Sequence, residues 1–331
     1  MRNQIKYLIF TVIFITVIGL IISACRKEDT KPEAKDIVID FVAKGVYSSI
    51  GIVEVVNLSN CTKIEVRGND SLNLTKVSQL NTNDFSFTMG DMLKLKGISG
   101  NNAFVTVVIV EPIVSATYIF NFVACTDGDG NNYTVVEIGD QTWMAENLKT
   151  TSYVGGDDIA RVENITAWGE LENDDTDKAY CYYNNVSENG NNYGALYTYA
   201  AATNGDNSGV DVQGACPSGW HLPNDTEWTE LIGYLEGEDV AGGKLKSICM
   251  GFWNSPNEGA TNETGFSAIS GGFRHFTNGM FFGLGEYTYY WSATQSSGTN
   301  AGSQGIYNNK TNIYSYHELK SAGLSVRCVA D

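Results

Sequence analysis

The chain opens on an apolar run from Tyr7 to Ile22, and beyond Ile37 its hydrophobic positions settle into a period of two. Ile37, Ile39 and Phe41 alternate with Val38, Asp40 and Val42. Leu93 and Leu95 alternate with Lys94 and Lys96, and the same spacing recurs in Phe85, Phe87 and Met89 and in Tyr118, Phe120 and Phe122. Side chains two apart on an extended chain share a face, so each set predicts a strand with one buried side. Runs at 51–58, 62–67 and 103–110 predict further strands, separated by turn residues at Gly68-Asn69-Asp70 and Ser99-Gly100-Asn101-Asn102. The second half carries one clear helical stripe. Asn224 is placed to cap it, Glu227 to return the capping bond, and Trp228, Leu231, Ile232 and Leu235 fall on one side of the helix. Tyr197 to Ala202 predicts another short helix and Leu324 to Val329 a closing strand. In Tyr287-Thr288-Tyr289-Tyr290-Trp291, alternation puts Tyr287, Tyr289 and Trp291 together on one face.

The first apolar run follows Arg2 and Lys6 and has 16 residues. A membrane-spanning helix needs roughly 20, so the run reads as the core of a signal peptide. It ends in Ile22-Ser23-Ala24-Cys25, which resembles the lipobox of bacterial lipoproteins. That resemblance implies a signal peptide over 1–24, lipidation of Cys25, and anchoring in outer-membrane lipid through the acyl chains. Arg26-Lys27-Glu28-Asp29 looks like the surface-export signal of Bacteroidetes lipoproteins, implying display at the cell surface. Residues 25–36, charged and containing Pro32, read as a tether. Residues 37–124 have the strand number of an immunoglobulin-like sandwich and no catalytic constellation, which suits a spacer or adhesion module. The boundary falls near Cys125 to Tyr133. Its Asp127-Gly128-Asp129-Gly130-Asn131 string has the look of a calcium loop, but the position for a bidentate Glu is Ile138, so a hairpin turn is the better reading.

Composition narrows the chemistry. With 21 Lys+Arg against 38 Asp+Glu the formal charge is −17, a surface that repels phosphate backbones and argues against nucleic acid as a partner. Hydrophobic residues at 43% exclude bulk disorder. The cysteines form no Cys-x-x-Cys, which weakens zinc and redox readings, and His221, His275 and His317 form no His-x-x-x-His pair. Glu170, Glu172, Asp174, Asp175 and Asp177 make an acidic loop. Asp174, Asp175 and Asp177 are the weak candidates for calcium; without a fixed ligand spacing the loop reads first as a solvated face, and no cofactor is expected. If exposed, Tyr287, Tyr289 and Trp291 would stack on sugar rings; if buried, they are core.

Residues 125–331 carry a chain of motifs: Ile138-Gly139-Asp140-Gln141-Thr142-Trp143-Met144-Ala145-Glu146-Asn147-Leu148, Tyr193-Gly194-Ala195-Leu196-Tyr197, Cys216-Pro217-Ser218-Gly219-Trp220-His221-Leu222-Pro223, Asn262-Glu263-Thr264-Gly265-Phe266-Ser267-Ala268, Tyr290-Trp291-Ser292-Ala293-Thr294 and Gly323-Leu324-Ser325-Val326-Arg327-Cys328-Val329. In this order they resemble the Fibrobacter succinogenes major paralogous domain. The resemblance implies secreted or lipid-anchored proteins and no settled activity. It also suggests an α+β head with the C-type-lectin-like fold of formylglycine-generating enzymes, where a terminal strand is often tied to the core; a Cys216–Cys328 bridge is expected on that ground. Arg274, in Gly271-Gly272-Phe273-Arg274, is expected to brace loops. The lectin calcium strings Glu-Pro-Asn, Gln-Pro-Asp and Trp-Asn-Asp are absent from the sequence. The expected function is a surface-displayed, lipid-anchored binding or adhesion protein, without assigned catalytic residues, whose partner is a polysaccharide or a host or envelope protein. An enzyme on the formylglycine-generating scaffold and a structural envelope protein are the alternatives. Cys25→Ser is expected to abolish lipidation, read as loss of the chain from the detergent phase on phase partitioning; normal partitioning would remove the lipobox assignment.

Overall fold

A computed structural model describes residues 36–77 and 85–331. The expected signal peptide over 1–24, the expected lipidation site Cys25 and the expected tether through residue 35 lie outside the described residues. The fold is rich in β-sheet, with few and short helices.

The first seven strands are β1 (Val38–Gly45), β2 (Ile52–Asn57), β3 (Lys63–Arg67), β4 (Leu72–Asn73), β5 (Leu93–Ser99), β6 (Phe104–Val110) and β7 (Ala116–Phe122). β1 lies between β4 and β7 and runs parallel to β7, from Ile39 opposite Ala116 to Gly45 opposite Phe122. β3, β2, β5 and β6 form an antiparallel layer against it. The inward positions of both layers, Ile39, Val53, Val55, Leu93, Leu95, Phe120 and Phe122 among them, meet in one core. Period two therefore did place these side chains. The strand expected around Phe85, Phe87 and Met89 does not form. Phe85 is buried, but Met89 is 60% exposed. Side chains take the backbone groups a strand would use: Asn57 Nδ2 donates to the Ser86 carbonyl at 2.8 Å, and Asp91 Oδ2 accepts from the Thr88 N–H at 2.7 Å.

The remaining strands are β8 (Thr134–Ile138), β9 (Gln141–Met144), β10 (Ala160–Arg161), β11 (Ala179–Cys181), β12 (Leu196–Tyr197), β13 (Trp220–His221), β14 (Gly271–Arg274), β15 (Phe281–Leu284), β16 (Tyr287–Gln295), β17 (Asn300–Tyr307), β18 (Ile313–Leu319) and β19 (Val329–Ala330). β8 and β9 form a hairpin, and β8 lies parallel to β6 from Val105 opposite Thr134 to Val107 opposite Val136. One eight-stranded sheet, ordered β13-β19-β9-β8-β6-β5-β2-β3, thus runs from the first segment into the second, and Ile37–Asp331 forms one compact unit. A second sheet, β15-β14-β16-β17-β18, stands at the far side. The Asp127 string is a turn: the Asp127 carboxylate accepts from the backbone N–H groups of Asp129 and Asn131 and from the Tyr133 hydroxyl, which leaves it closed on its own loop.

The helix Asp225–Tyr234 has the expected capping box, with Asn224 Oδ1 accepting from the Glu227 N–H at 3.1 Å and Glu227 Oε2 from the Asn224 N–H at 2.9 Å. Its stripe is buried, and Trp228 packs on Trp143 with ring centres 4.8 Å apart. Burial of each such side chain stabilises by roughly 1.5–3 kcal/mol. Residues 199–203 form the second short helix, while Leu196–Tyr197 pairs as a strand instead. The closing strand shrinks to β19, because Arg327 interrupts it. Fully buried, Arg327 gives N–H groups to Asn147 Oδ1 and to the carbonyls of Met144, Phe266 and Ser267.

Two more cations are buried the same way. Arg274 donates to the carbonyls of Gly279, Val162 and Glu163 and lies over Trp168 at 4.3 Å, bracing loops as expected. Lys246 Nζ donates to the carbonyls of Glu258, Tyr307 and Lys310, and burial lowers its pKa to about 8. A desolvated cation is tolerated where backbone carbonyls replace its water. Cys216 and Cys328 are joined, their Cα atoms 5.9 Å apart, and Cys61 is joined to Cys249 across the two segments. Closing loops of 112 and 188 residues stabilises in the chain-entropy picture by on the order of 5 kcal/mol each.

Candidate functional site

The second sheet presents a face made of tyrosine. Opposite residues on neighbouring strands share a face, so Tyr287 and Tyr307 are paired, and Tyr289 lies level with Gly305 and Tyr314. Tyr316 follows two residues later on the edge strand β18. Phe273 of β14 and Phe282 of β15 extend the face on the other side, with Phe273 5.6 Å from Tyr289 and 5.9 Å from Phe282. Within the face, Tyr289 is 5.6 Å from Tyr287, 5.6 Å from Tyr316 and 6.1 Å from Tyr307. The tyrosines and Phe273 are half-buried, while Phe282 is 37% exposed. Gly305 is the floor. A Cβ there would stand 2.7 Å from the Tyr316 ring and 2.9 Å from Tyr289, so the rings can lie flat across β17 only over a glycine.

The hydroxyls form a chain. Tyr289 and Tyr307 share a hydrogen bond of 2.7 Å, and Tyr307 donates to Tyr316 at 2.9 Å. Burial raises the Tyr289 phenol to about 12; burial, with the bonds to Tyr289 and Tyr316, raises Tyr307 further. Glu318, at the end of the same strand face, is also raised by burial. The phenols of the face are therefore uncharged at neutral pH, with ring surface and hydroxyl donors side by side.

Of the expected stacking residues, Tyr287 and Tyr289 belong to this face and Trp291 does not. Trp291 is fully buried, its indole N–H donating to the Tyr197 carbonyl at 2.8 Å and its ring against Tyr199 at 5.5 Å. It is core, because the other half of the same sheet face is covered by the β12 region. Phe273, Tyr307, Tyr314 and Tyr316 are the residues the sequence reading passed over; Tyr314-Ser315-Tyr316 did carry the same period-two signal.

The three calcium candidates have other partners. Asp175 Oδ1 accepts from the buried Lys320 ammonium at 2.7 Å, so a cation already occupies it. Asp174 accepts from the Thr176 N–H and hydroxyl, both at 2.8 Å, which hold its carboxyl below the usual range. Asp177 accepts from the Glu172 N–H at 2.7 Å. These carboxylates are spent on turns and an ion pair, and among the described residues no group of three or more His, Cys, Asp or Glu is placed to hold a metal ion. Cys125 and Cys181 are free thiols, both buried, and burial raises Cys181 to about 12.

The Fibrobacter succinogenes major domain model matches residues 136–330. The chain belongs to that family. No curated protein and no solved structure matches it. The family region begins inside β8 and ends in β19, so it contains the tyrosine face, the Cys216–Cys328 bridge and Arg327, and leaves β1 to β7 outside. His221, inside a family motif, is held on both sides: Nε2 is 2.7 Å from Glu227 and Nδ1 is 2.8 Å from Asp331. Burial alone would lower its pKa, but the two carboxylates outweigh it and lift the imidazole to about 9. A group whose folded pKa exceeds its unfolded value stabilises fully below the unfolded pKa, about 6.5, and that contribution fades as pH rises through the folded one. The native chain is expected to be more stable than His221→Gln by about 1–2 kcal/mol at pH 6, discounted for partial exposure of the carboxylates. The gap should close as pH passes 9; thermal melts across pH 6–10 that keep a constant gap would contradict the clamp.

Proposed function

We propose that the chain is a lipid-anchored outer-membrane protein of the cell surface whose head binds polysaccharide on the tyrosine face of the second sheet. In this reading β1 to β7 form an immunoglobulin-like spacer, and the family region is a C-type-lectin-like head related in fold to the formylglycine-generating enzymes. The observation that carries the binding role is the glycine-floored set of half-exposed, uncharged tyrosines. Sugar rings present C–H groups on one side and hydroxyls at the rim, which match an aromatic plane bordered by phenolic O–H groups. Monomer surfaces do not ordinarily gather so many partly exposed rings without a partner. The binding is calcium-independent, since the acidic loop's carboxylates are already engaged.

An enzyme on the formylglycine-generating scaffold would call for reactive cysteines. The free thiols here are buried and raised, and Cys249 is in a disulfide, so binding is the better-supported reading. The test is a glycan array with the full chain, with and without calcium, followed by titration of the best ligand. Tyr289→Ala and Tyr316→Ala are each expected to weaken binding about 5- to 10-fold, the loss of one ring contact of about 1–1.5 kcal/mol, with chelation leaving it unchanged. Glycan binding that both variants retain in full would place the site elsewhere and overturn the proposal.

A further inference from the structure

A cavity of about 270 Å³ lies along the seam where β5 and β8 meet the family region. Lys94, Lys96 and Lys149 stand in its wall together with Asn191, Asn192 and Glu146. Lys94 reaches across from β5, and its Nζ is 2.9 Å from Ser267 Oγ. Among the described residues that hydroxyl is its hydrogen-bond partner, and no carboxylate lies within ion-pair distance. The hydroxyl's own proton goes to the Gly265 carbonyl at 3.1 Å, so Ser267 accepts from the ammonium and leaves its other N–H groups unspent. Lys96 meets Glu54 only at 3.7 Å, and Lys149 forms no ion pair among the described residues. Behind them lies Arg327, whose contacts are carbonyls and an amide. Glu146, the carboxylate in the wall, is engaged by the Thr134 hydroxyl.

Four cations therefore stand against Glu146 in the wall and Glu54 beside it, in a chain whose formal charge is −17. Desolvated cations are costly until an anion or a set of oxygen acceptors arrives. We infer that the seam cavity binds a small organic carboxylate the size of one sugar ring, its carboxylate seated on Lys94 and its hydroxyls met by Asn191 and Asn192. The volume lies just under the roughly 300–1,000 Å³ of pockets that take larger organic ligands, which suits a single ring. Ammonium groups bind carboxylate and phosphate alike; a carboxylate on a sugar-sized ring follows from the cavity's volume and from the two asparagines in its wall, which suit ring hydroxyls. A second cavity of about 640 Å³ shares Lys94, Lys96 and Met250, giving a polymer bearing such rings a way out along the seam. The site stands apart from the tyrosine face and does not depend on it.

Burial lowers the Lys94 pKa to about 8, with repulsion from Lys96 and Arg327 adding to it and Glu146 and Glu54 opposing. Lys149 is the further charged group in the cavity wall. A bound carboxylate needs the charged amine, so affinity is expected to fall as pH rises through 8 and beyond. The test is calorimetric titration of the full chain with glucuronate, glucose and inorganic phosphate, and with a glucuronate oligomer to separate a free acid from a polymer residue. Glucuronate is expected to bind at least tenfold more tightly than glucose or phosphate; Lys94→Met should lose that binding at least tenfold, and Tyr289→Ala should leave it unchanged. Should Lys94→Met fail to fold, a loss of native-chain affinity between pH 7 and 9.5 carries the same information. Equal binding of glucose or phosphate, an unaffected Lys94→Met, or a flat pH profile would overturn the assignment.

Discussion

The parallel pairing of β6 with β8 is the constraint on which the rest of the structure depends. Without it β6 would be an open edge of valine and isoleucine, a template for unwanted pairing. With it, Val107 and Val136 enter the same core as Trp228 and Trp143. The loop that carries the family motif around Gly265 lies directly on this seam. Gly265 has φ +75°, and a Cβ there would stand 2.9 Å from Val107 and 3.1 Å from Val136, so glycine is what allows the motif loop to press on a strand from outside the family region. Cys61–Cys249 and the Lys94–Ser267 bond cross the same seam. These contacts bind β1 to β7 to the family region through a shared sheet, a disulfide and a side-chain bond.

Buried cations do much of the remaining organisation. Arg274, Arg327 and Lys246 draw carbonyls from loops and strand ends far apart in sequence, and Lys320 draws Asp175 and Gln295. Separate stretches of the family region are thereby drawn to fixed points by charge-assisted bonds. The same economy explains the acidic loop at 170–177. Its carboxylates cap turns and meet an internal ammonium.

Local signals were legible where local physics decides. Asn224 and Glu227 announced a capping box because both partners lie within one turn, and the Trp228 stripe followed from helical period alone. The strands of the first segment were legible from alternation, except at Phe85 to Met89, where Asn57, distant in sequence, and neighbouring Asp91 claim the backbone. Alternation also put Tyr287, Tyr289 and Trp291 on one face. It could not say how far the covering layer extends, and that depth is what separates the exposed tyrosines from the buried Trp291. Tyr307 and Tyr316 joined the face only through strand register, which no single segment encodes. The β6–β8 pair was least visible: parallel strands have no turn of their own to signal them.

β1 to β7 and the family region share a continuous sheet and unfold as one cooperative structure. Differential scanning calorimetry of the full chain, with disulfides intact, tests this most directly. A single unfolding transition is expected, with calorimetric and van't Hoff enthalpies that agree. Two separate transitions, one for β1 to β7 and one for the family region, would contradict it.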